Sequence, residues 1–246
     1  MVASKAKYFL SPSALDDFRR CARCFFLDKV KKIKKPRGIF PSLPSGMDRV
    51  IKSYCDQFRL TPTLPPEFAG KIPGRLWPDI DQLRQRRDWR ATDLGFIDQE
   101  LSVKFTGAID DLALLDSGAV APLDYKTRGS ALTEDKNPAE YYQNQLDCYA
   151  LMLQRAGHTV SDKGFLTYWT PASVMDDGAA LAATPGTAMI RFDVAVYGVT
   201  IDPNAAVRTL TEAVECLDGE LPEDSPECET CAFVFLRARA VIPASG

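Results

Sequence analysis

Between Leu94 and Lys126, apolar and β-branched residues come in runs too short for helices, and turn-forming residues separate them. This pattern predicts three strands, near 96–105, 106–115 and 119–127. In the second and third, Ile109, Leu112, Ala113, Leu114, Val120, Leu123 and Tyr125 leave little polar surface, so both faces of that pair should be buried. Further on, Pro138 and Gly157 bracket a helix. Residues 163–170 and 188–199 are rich in β-branched and aromatic side chains and predict two more strands, and Pro203 to Leu217 predicts another helix. Before the strands, Leu15, Phe18, Ala22, Phe25 and Phe26 give an apolar side to one helix opened by Ser11-Pro12-Ser13. There Ser13 is the expected cap, with Asp16 as the return half of a capping box. That helix should end in the basic run before Pro36, and Pro41 to Gly46 reads as a turn region. A second helix is expected from about Met47 to Phe58 and a short one near Asp79–Arg87. Pro62, Pro65, Pro66, Pro73 and Pro78 make residues 61–81 irregular. Helices, three strands, helix, two strands, helix is the order of a mixed α/β domain.

A chain of 246 residues, 46% apolar, suits a single domain. Its expected parts are a helical N-terminal part (8–92), a core (93–220) and a cysteine-bearing C-terminal segment (221–246). No run of about 18 apolar residues offers a membrane span. Met1 to Lys7 lacks an apolar signal core, so a cytoplasmic location is expected. The net charge of −3 provides no bulk attraction for nucleic acid. Two basic stretches are locally different: Lys29, Lys31, Lys32, Lys34, Lys35 and Arg37, and then Arg84, Arg86, Arg87 and Arg90. Each could follow a phosphate backbone or simply form a solvated face.

The hairpin between Gly107 and Thr127 carries the chemistry. Asp116-Ser117-Gly118 suits a three-residue loop, with Gly118 free to take positive φ. If Leu115 and Ala119 flank that loop, Asp110 falls opposite Asp124 on one face, with Cβ atoms about 5 Å apart. Lys126 points to that face and Asp111 to the other, so Asp111 is expected to have no part in the site. Opposed carboxylates repel, and burial strengthens the repulsion. A divalent cation between them reverses its sign, and oxygen donors suit Mg²⁺ or Mn²⁺. Lys126 would add a positive charge able to orient a water or stabilise a phosphoryl transition state.

In order, Gly107-x-x-Asp110, the strand pair, Asp124-Tyr125-Lys126 and Gln145-x-x-x-Tyr149 resemble the motifs of the PD-(D/E)xK nuclease superfamily. Within it they are most similar to RecB-like and CRISPR-adaptation nucleases. The opening Ser11-Pro-Ser-Ala-Leu-Asp-Asp-Phe-Arg-Arg-Cys21 resembles the start of those enzymes. The resemblance implies a restriction-endonuclease-like α/β core, with a central mixed sheet flanked by helices. It implies that Asp110, Asp124 and the backbone carbonyl of Tyr125 bind Mg²⁺ or Mn²⁺ and that Lys126 assists hydrolysis of a DNA phosphodiester. It also implies that Gln145 and Tyr149, four apart on one helix face, border the active site and contact DNA. Cutting is expected to be exonuclease-like, on single strands or duplex ends. The relatives place a histidine ligand on an early helix; here that position corresponds to Asp48, with Glu100 as a second candidate for the ligand, while His158 reads as a surface or capping residue. A chain without that histidine could instead be a non-catalytic nucleic-acid- or partner-binding module.

Of seven cysteines, Cys21/Cys24 and Cys228/Cys231 form two CxxC pairs, and an odd number does not suggest a disulfide framework. The pairs can make one four-cysteine site only if the chain ends meet, which would join the termini. The resemblance implies a [4Fe–4S] cluster there, and Zn²⁺ is the alternative. The relatives divide their four cysteines one before the core and three after, whereas this chain divides them two and two. Cys55, Cys148 and Cys216 read as small core residues.

Overall fold

The computed structural model describes residues 6–36, 38, 41–61, 63–172 and 190–241. Arg37, Pro62, residues 188–189 of the expected last strand and the chain beyond 241 lie outside them. The N-terminal part contains β1 (Tyr8–Leu10), α1 (Pro12–Arg20), α2 (Ala22–Lys29), α3 (Ser42–Gln57), β2 (Gly74–Leu76) and α4 (Ile80–Arg86). There follow β3 (Phe96–Asp98), β4 (Val103–Phe105), β5 (Asp111–Leu115), β6 (Val120–Thr127), α5 (Gln143–Arg155), β7 (Lys163–Pro171), β8 (Phe192–Thr200), α6 (Pro203–Asp218) and α7 (Glu229–Val241).

The hairpin loop forms as its residues dictate. Leu115 N–H donates to Ala119 O at 2.9 Å, and Gly118 takes φ +83. The β5–β6 register pairs Asp111 with Leu123 and Leu112 with Pro122. The pair sits inside a five-stranded mixed sheet, ordered β2-β5-β6-β7-β8. Only β6 and β7 run parallel, and α5 is the helix in the crossover between them. One sheet face presents Leu112, Val120, Leu166 and Tyr168 to Leu15 of α1, Leu146 and Met152 of α5, and Leu210 and Val214 of α6. The other presents Ala113, Ala121, Leu123, Phe165 and Trp169 to Ile51 and Cys55 of α3 and to Phe68. Buried on both faces, these strands account for their nearly continuous apolar sequence.

Several expectations need correction. The strand expected at 96–105 is a hairpin, β3–β4, turned at residues 99–102 with Ser102 at φ +49; it joins β1 in a separate sheet ordered β1-β4-β3. The next strand starts at Asp111 rather than near 106. β2 arises inside the proline-rich stretch, where too few residues alternate to signal it. The first helix is capped by Ser11, whose Oγ accepts from Ala14 N–H at 3.3 Å, and Asp16 instead accepts from Asn144 Nδ2 at 2.8 Å. That helix also breaks at Cys21, which is extended (φ −166, ψ 104). Its N–H closes α1 on Asp17 O, and its Sγ accepts from Cys24 N–H to open α2. α3 starts at Ser42, ahead of the expected Met47, and α5 at Gln143 because Pro138–Tyr142 form separate turns. The chain ends meet: the Lys7 ammonium pairs with Asp218, Tyr8 donates to Leu217 O at 3.1 Å, and Arg23 donates to Pro222 O at 2.8 Å.

Candidate active site

Asp110 is the last residue before β5, and the β5–β6 register sets it beside Asp124. Gly107 allows the chain to reach that point. A Cβ there would lie 2.8 Å from Cδ of Pro12, at the start of α1. Two contacts fix Asp110: Arg87 Nε donates to its carbonyl at 2.7 Å, and Tyr125 N–H donates to its Oδ2 at 3.3 Å.

Asp124 is fully buried, and neither of its carboxylate oxygens accepts a well-aligned hydrogen bond among the described residues. Lys126 Nζ lies 2.6 Å from Asp124 Oδ2, close enough for an ion pair but poorly angled. Burial pushes the Asp124 carboxyl up to about 7; Lys126 opposes the rise and the charge of Asp110 adds to it. Asp110 keeps 23% of its side chain exposed. Burial raises its carboxyl too, but the ammonium of Lys52 at 2.8 Å outweighs this and holds it below the ordinary carboxylate range.

Lys52 is a group the sequence reading passed over. Its Nζ also lies 2.9 Å from Asp48 Oδ2, one helical turn earlier on α3. Asp48 thus joins Asp110 through a shared cation, and the i,i+4 spacing was the available signal. Glu100 lies in the exposed turn of the β3–β4 hairpin, on a different sheet from Asp124. His158 is partly buried: Arg86 Nη2 lies 3.0 Å from its Nε2, and its ring meets Trp77 edge to face.

On α5, Gln145 Oε1 accepts from Lys126 Nζ at 2.9 Å, and Gln145 Nε2 donates to Tyr149 OH at 2.5 Å. Lys126 Nζ also stands 4.0 Å from the centroid of the Tyr142 ring. Asp110, Asp124, Lys126, Gln145 and Tyr149 therefore form one connected group, with Asp48 attached through Lys52. Two opposed carboxylates, one of them buried with unsatisfied oxygens, and a third beside them are a donor set that fits a hard divalent cation.

The opposite face of the ladder is also ionic. Asp111 is fully buried, pairs with Arg59 and Arg87, and accepts the Tyr125 hydroxyl. Asp56 binds both arginines from the other side, at 3.0 Å to Arg59 Nε and 2.8 Å to Arg87 Nη1. Arg86 pairs with Asp93 at 2.8 Å. Arg86 and Arg87 are therefore structural and do not join Arg84 and Arg90 in a basic surface, whereas Lys31, Lys32, Lys34 and Lys35 are exposed.

At the joined ends, the sulfurs of Cys21, Cys24, Cys228 and Cys231 all lie within 4.8 Å of one another. Three pairs are 3.6–3.7 Å apart: Cys24–Cys231 at 3.6 Å, and Cys21–Cys231 and Cys24–Cys228 at 3.7 Å. This four-cysteine group can bind a metal. No helix among the described residues is long and apolar enough to cross a membrane.

Comparison with known proteins adds a family. The model of the PD-(D/E)XK nuclease superfamily matches residues 66–235. No curated protein matches the chain. Among solved structures, the crystal structure of SSO0001 is 16% identical, covering 98% of this chain and 88% of that one, with a TM-score of 0.37.

Proposed function

Because the chain belongs to the PD-(D/E)XK nuclease superfamily, whose members are metal-dependent nucleases, we propose that it hydrolyses DNA phosphodiesters with Mg²⁺ or Mn²⁺, exonuclease-like, on single strands or duplex ends. The observation that carries this reading is the buried Asp124 carboxylate, without a hydrogen bond, beside Asp110 and Lys126. Asp110, Asp124, the Tyr125 carbonyl and Asp48 would hold the cation. When bound, it supplies a water of lowered pKa and neutralises charge on the scissile phosphate. Lys126, held by Gln145, is placed to donate to that water or to a phosphate oxygen. Tyr149 holds Gln145 from behind, so the pair sets the direction of the Lys126 ammonium. All three parts of the chain, 8–92, 93–220 and 221–246, act as one domain in this reading. A role like that of RecB-like or CRISPR-adaptation nucleases is part of the same proposal.

The test is cleavage of labelled single-stranded and duplex DNA by purified protein with Mg²⁺ or Mn²⁺. Wild type should cut, and Asp124→Ala and Lys126→Ala should not; cutting that persists in either variant overturns the assignment. One observation favours a second reading, a binding module without chemistry: Lys52 already neutralises Asp48 and Asp110. Titration calorimetry that finds no Mn²⁺ bound at millimolar concentration, in a protein that still binds DNA, would select it.

The four cysteines are proposed as a structural clip. Metal–sulfur bonds of about 2.3 Å to one tetrahedral ion put sulfurs about 3.8 Å apart. Three of the six separations, at 3.6–3.7 Å, suit that arrangement, and all four sulfurs lie within 4.8 Å of one another. A [4Fe–4S] cube, with its irons and sulfides between the ligands, would require the four to spread. Zn²⁺ is therefore favoured here. Colourless protein with stoichiometric zinc supports it, and brown, iron-containing protein from anaerobic purification overturns it.

A further inference from the structure

Beside the carboxylate group lies a cavity of about 450 Å³, within the range of roughly 300–1,000 Å³ that holds small organic ligands. Phe9, Trp89, the start of α1 at Ser11–Ser13, and Thr106–Ala108 line it. Leu10, Gln145 and Tyr149 complete its lining, and the last two are the pair that holds Lys126, so the cavity and the proposed site of hydrolysis share a wall.

Two aromatic residues of this wall, Phe9 and Trp89, are open to solvent. They are 61% and 59% exposed, and both rings line the same cavity, so they form one apolar surface open to a ligand. A basic side chain lies over each: Lys104 Nζ stands 5.9 Å from the Phe9 centroid and the Arg90 guanidinium 5.5 Å from that of Trp89. Neither cation has an acidic partner among the described residues. Thr106 ties the two aromatic segments together, its N–H donating to Leu10 O at 3.1 Å and its hydroxyl to Trp89 O at 3.4 Å. Flat rings in a cleft, each with an unpaired cation, complement a chain of stacked bases joined by phosphates. A duplex buries the faces of its bases within its own stack and cannot offer them to Phe9 and Trp89.

We propose that this cavity receives an unstacked base of single-stranded DNA on Phe9 and Trp89, with Lys104 and Arg90 on the adjoining phosphates, and so feeds the strand past Gln145 and Tyr149 to the carboxylates. The proposal rests on the nuclease reading and goes beyond it by assigning the strand's path and the residues that select single strands.

The test uses the full chain carrying Asp124→Asn, which should bind without cutting. Binding of a short, end-labelled oligothymidylate is followed by fluorescence anisotropy of the label, and the matching labelled abasic oligomer serves as a probe with the charge but not the bases. Trp89→Ala and Phe9→Ala should each weaken oligothymidylate binding about tenfold, and Trp89→Tyr should restore most of it. The abasic oligomer should bind the Asp124→Asn protein about as weakly as oligothymidylate binds the Trp89→Ala variant. In chains that retain Asp124, with Mn²⁺, Trp89→Ala should raise KM on single strands and leave kcat within about twofold. Unchanged affinity in both alanine variants, or equal binding of the abasic oligomer, overturns the stacking cavity even if wild type cuts DNA. A wild type that neither cuts nor binds DNA overturns the nuclease reading, and this inference with it.

Discussion

Replacing Asp124 with asparagine should abolish cleavage and, without metal, make the protein more stable. Asp124 is fully buried, its oxygens lack hydrogen bonds, and its carboxyl is pushed up to about 7. An unfolded aspartate titrates near 3.9, so ionising this one in the folded chain costs about 3 pKa units, or about 4 kcal/mol at most. Because the folded pKa is raised, the folded state binds more protons between about pH 4 and 7. Its stabilising effect is complete below about pH 4 and is lost as pH rises through about 7. The asparagine side chain never bears the charge but keeps nearly the same shape, and Lys126 keeps Gln145 as a partner. Even half of the upper figure, about 2 kcal/mol, shifts Tm by roughly 4–8 °C in a chain of this size.

The assay is thermal unfolding of wild type and Asp124→Asn in EDTA at pH 5 and pH 8. The variant should gain several degrees at pH 8 and about a third as much at pH 5. Adding Mn²⁺ should then raise the Tm of wild type and leave the variant nearly unmoved, since only a folded site with its carboxylates captures the ion. A variant less stable than wild type at pH 8 in EDTA would refute the reasoning. It would mean that the Asp124 charge is satisfied by the protein itself and has no need of a cation.

Three further outcomes can be checked. Asp111→Ala should cost about 3–5 kcal/mol in urea denaturation, because it strips a partner from Arg59 and Arg87 in the interior; a loss under about 1 kcal/mol would show that Asp56 alone holds both. Cys21→Ala and Cys231→Ala should lower Tm far more than Cys148→Ala, since thiolate ligation is coupled to folding; similar losses for all three would count against a metal clip. Burial and the nearby Arg86 hold the His158 imidazole below its ordinary pKa, so its contribution falls away as pH drops through about 6.5, where the unfolded chain takes up the proton and the folded one does not. The difference in Tm between wild type and His158→Gln should therefore shrink from pH 7.5 to 5.5, and a constant difference would exclude the effect.

What was legible followed from short-range rules. Period-two alternation and a three-residue loop sufficed to pair Asp111 with Leu123 and hence to set Asp110 beside Asp124, because the register of a tight hairpin depends only on its own residues. The α5 face bearing Gln145 and Tyr149 was readable because residues four apart share a face. For the two CxxC pairs, some 200 residues apart, the spacing within each pair sets only the condition for one site, since nothing local says that α2 and α7 meet. The break at Cys21 escaped notice because the apolar spacing of Leu15, Phe18, Ala22 and Phe25 fits one continuous helix, while the second capping role falls to a sulfur. The basic run at Arg84–Arg90 misled for a related reason. Composition cannot separate arginines in solvent from Arg86 and Arg87, whose partners Asp93, Asp56 and Asp111 come from other elements.

Asp111 best shows why face alone was an incomplete guide. It points away from Asp110, as the alternation requires, yet the two are mechanically linked through Arg87. That guanidinium holds the Asp110 carbonyl through Nε while its other nitrogens bind Asp56 and Asp111. Without metal, Asp110 and Asp124 repel each other across the ladder, and a free backbone would relieve the strain by swinging Asp110 toward water. The ionic network on the far face, with Asp111 and Arg59 buried and Asp56 and Arg87 partly so, opposes that movement by fixing the main chain from behind. Two adjacent aspartates thus act in concert from opposite faces of one strand. Asp111 gives its charge to the interior to hold the strand, so that Asp110 can keep its own charge directed at the cleft.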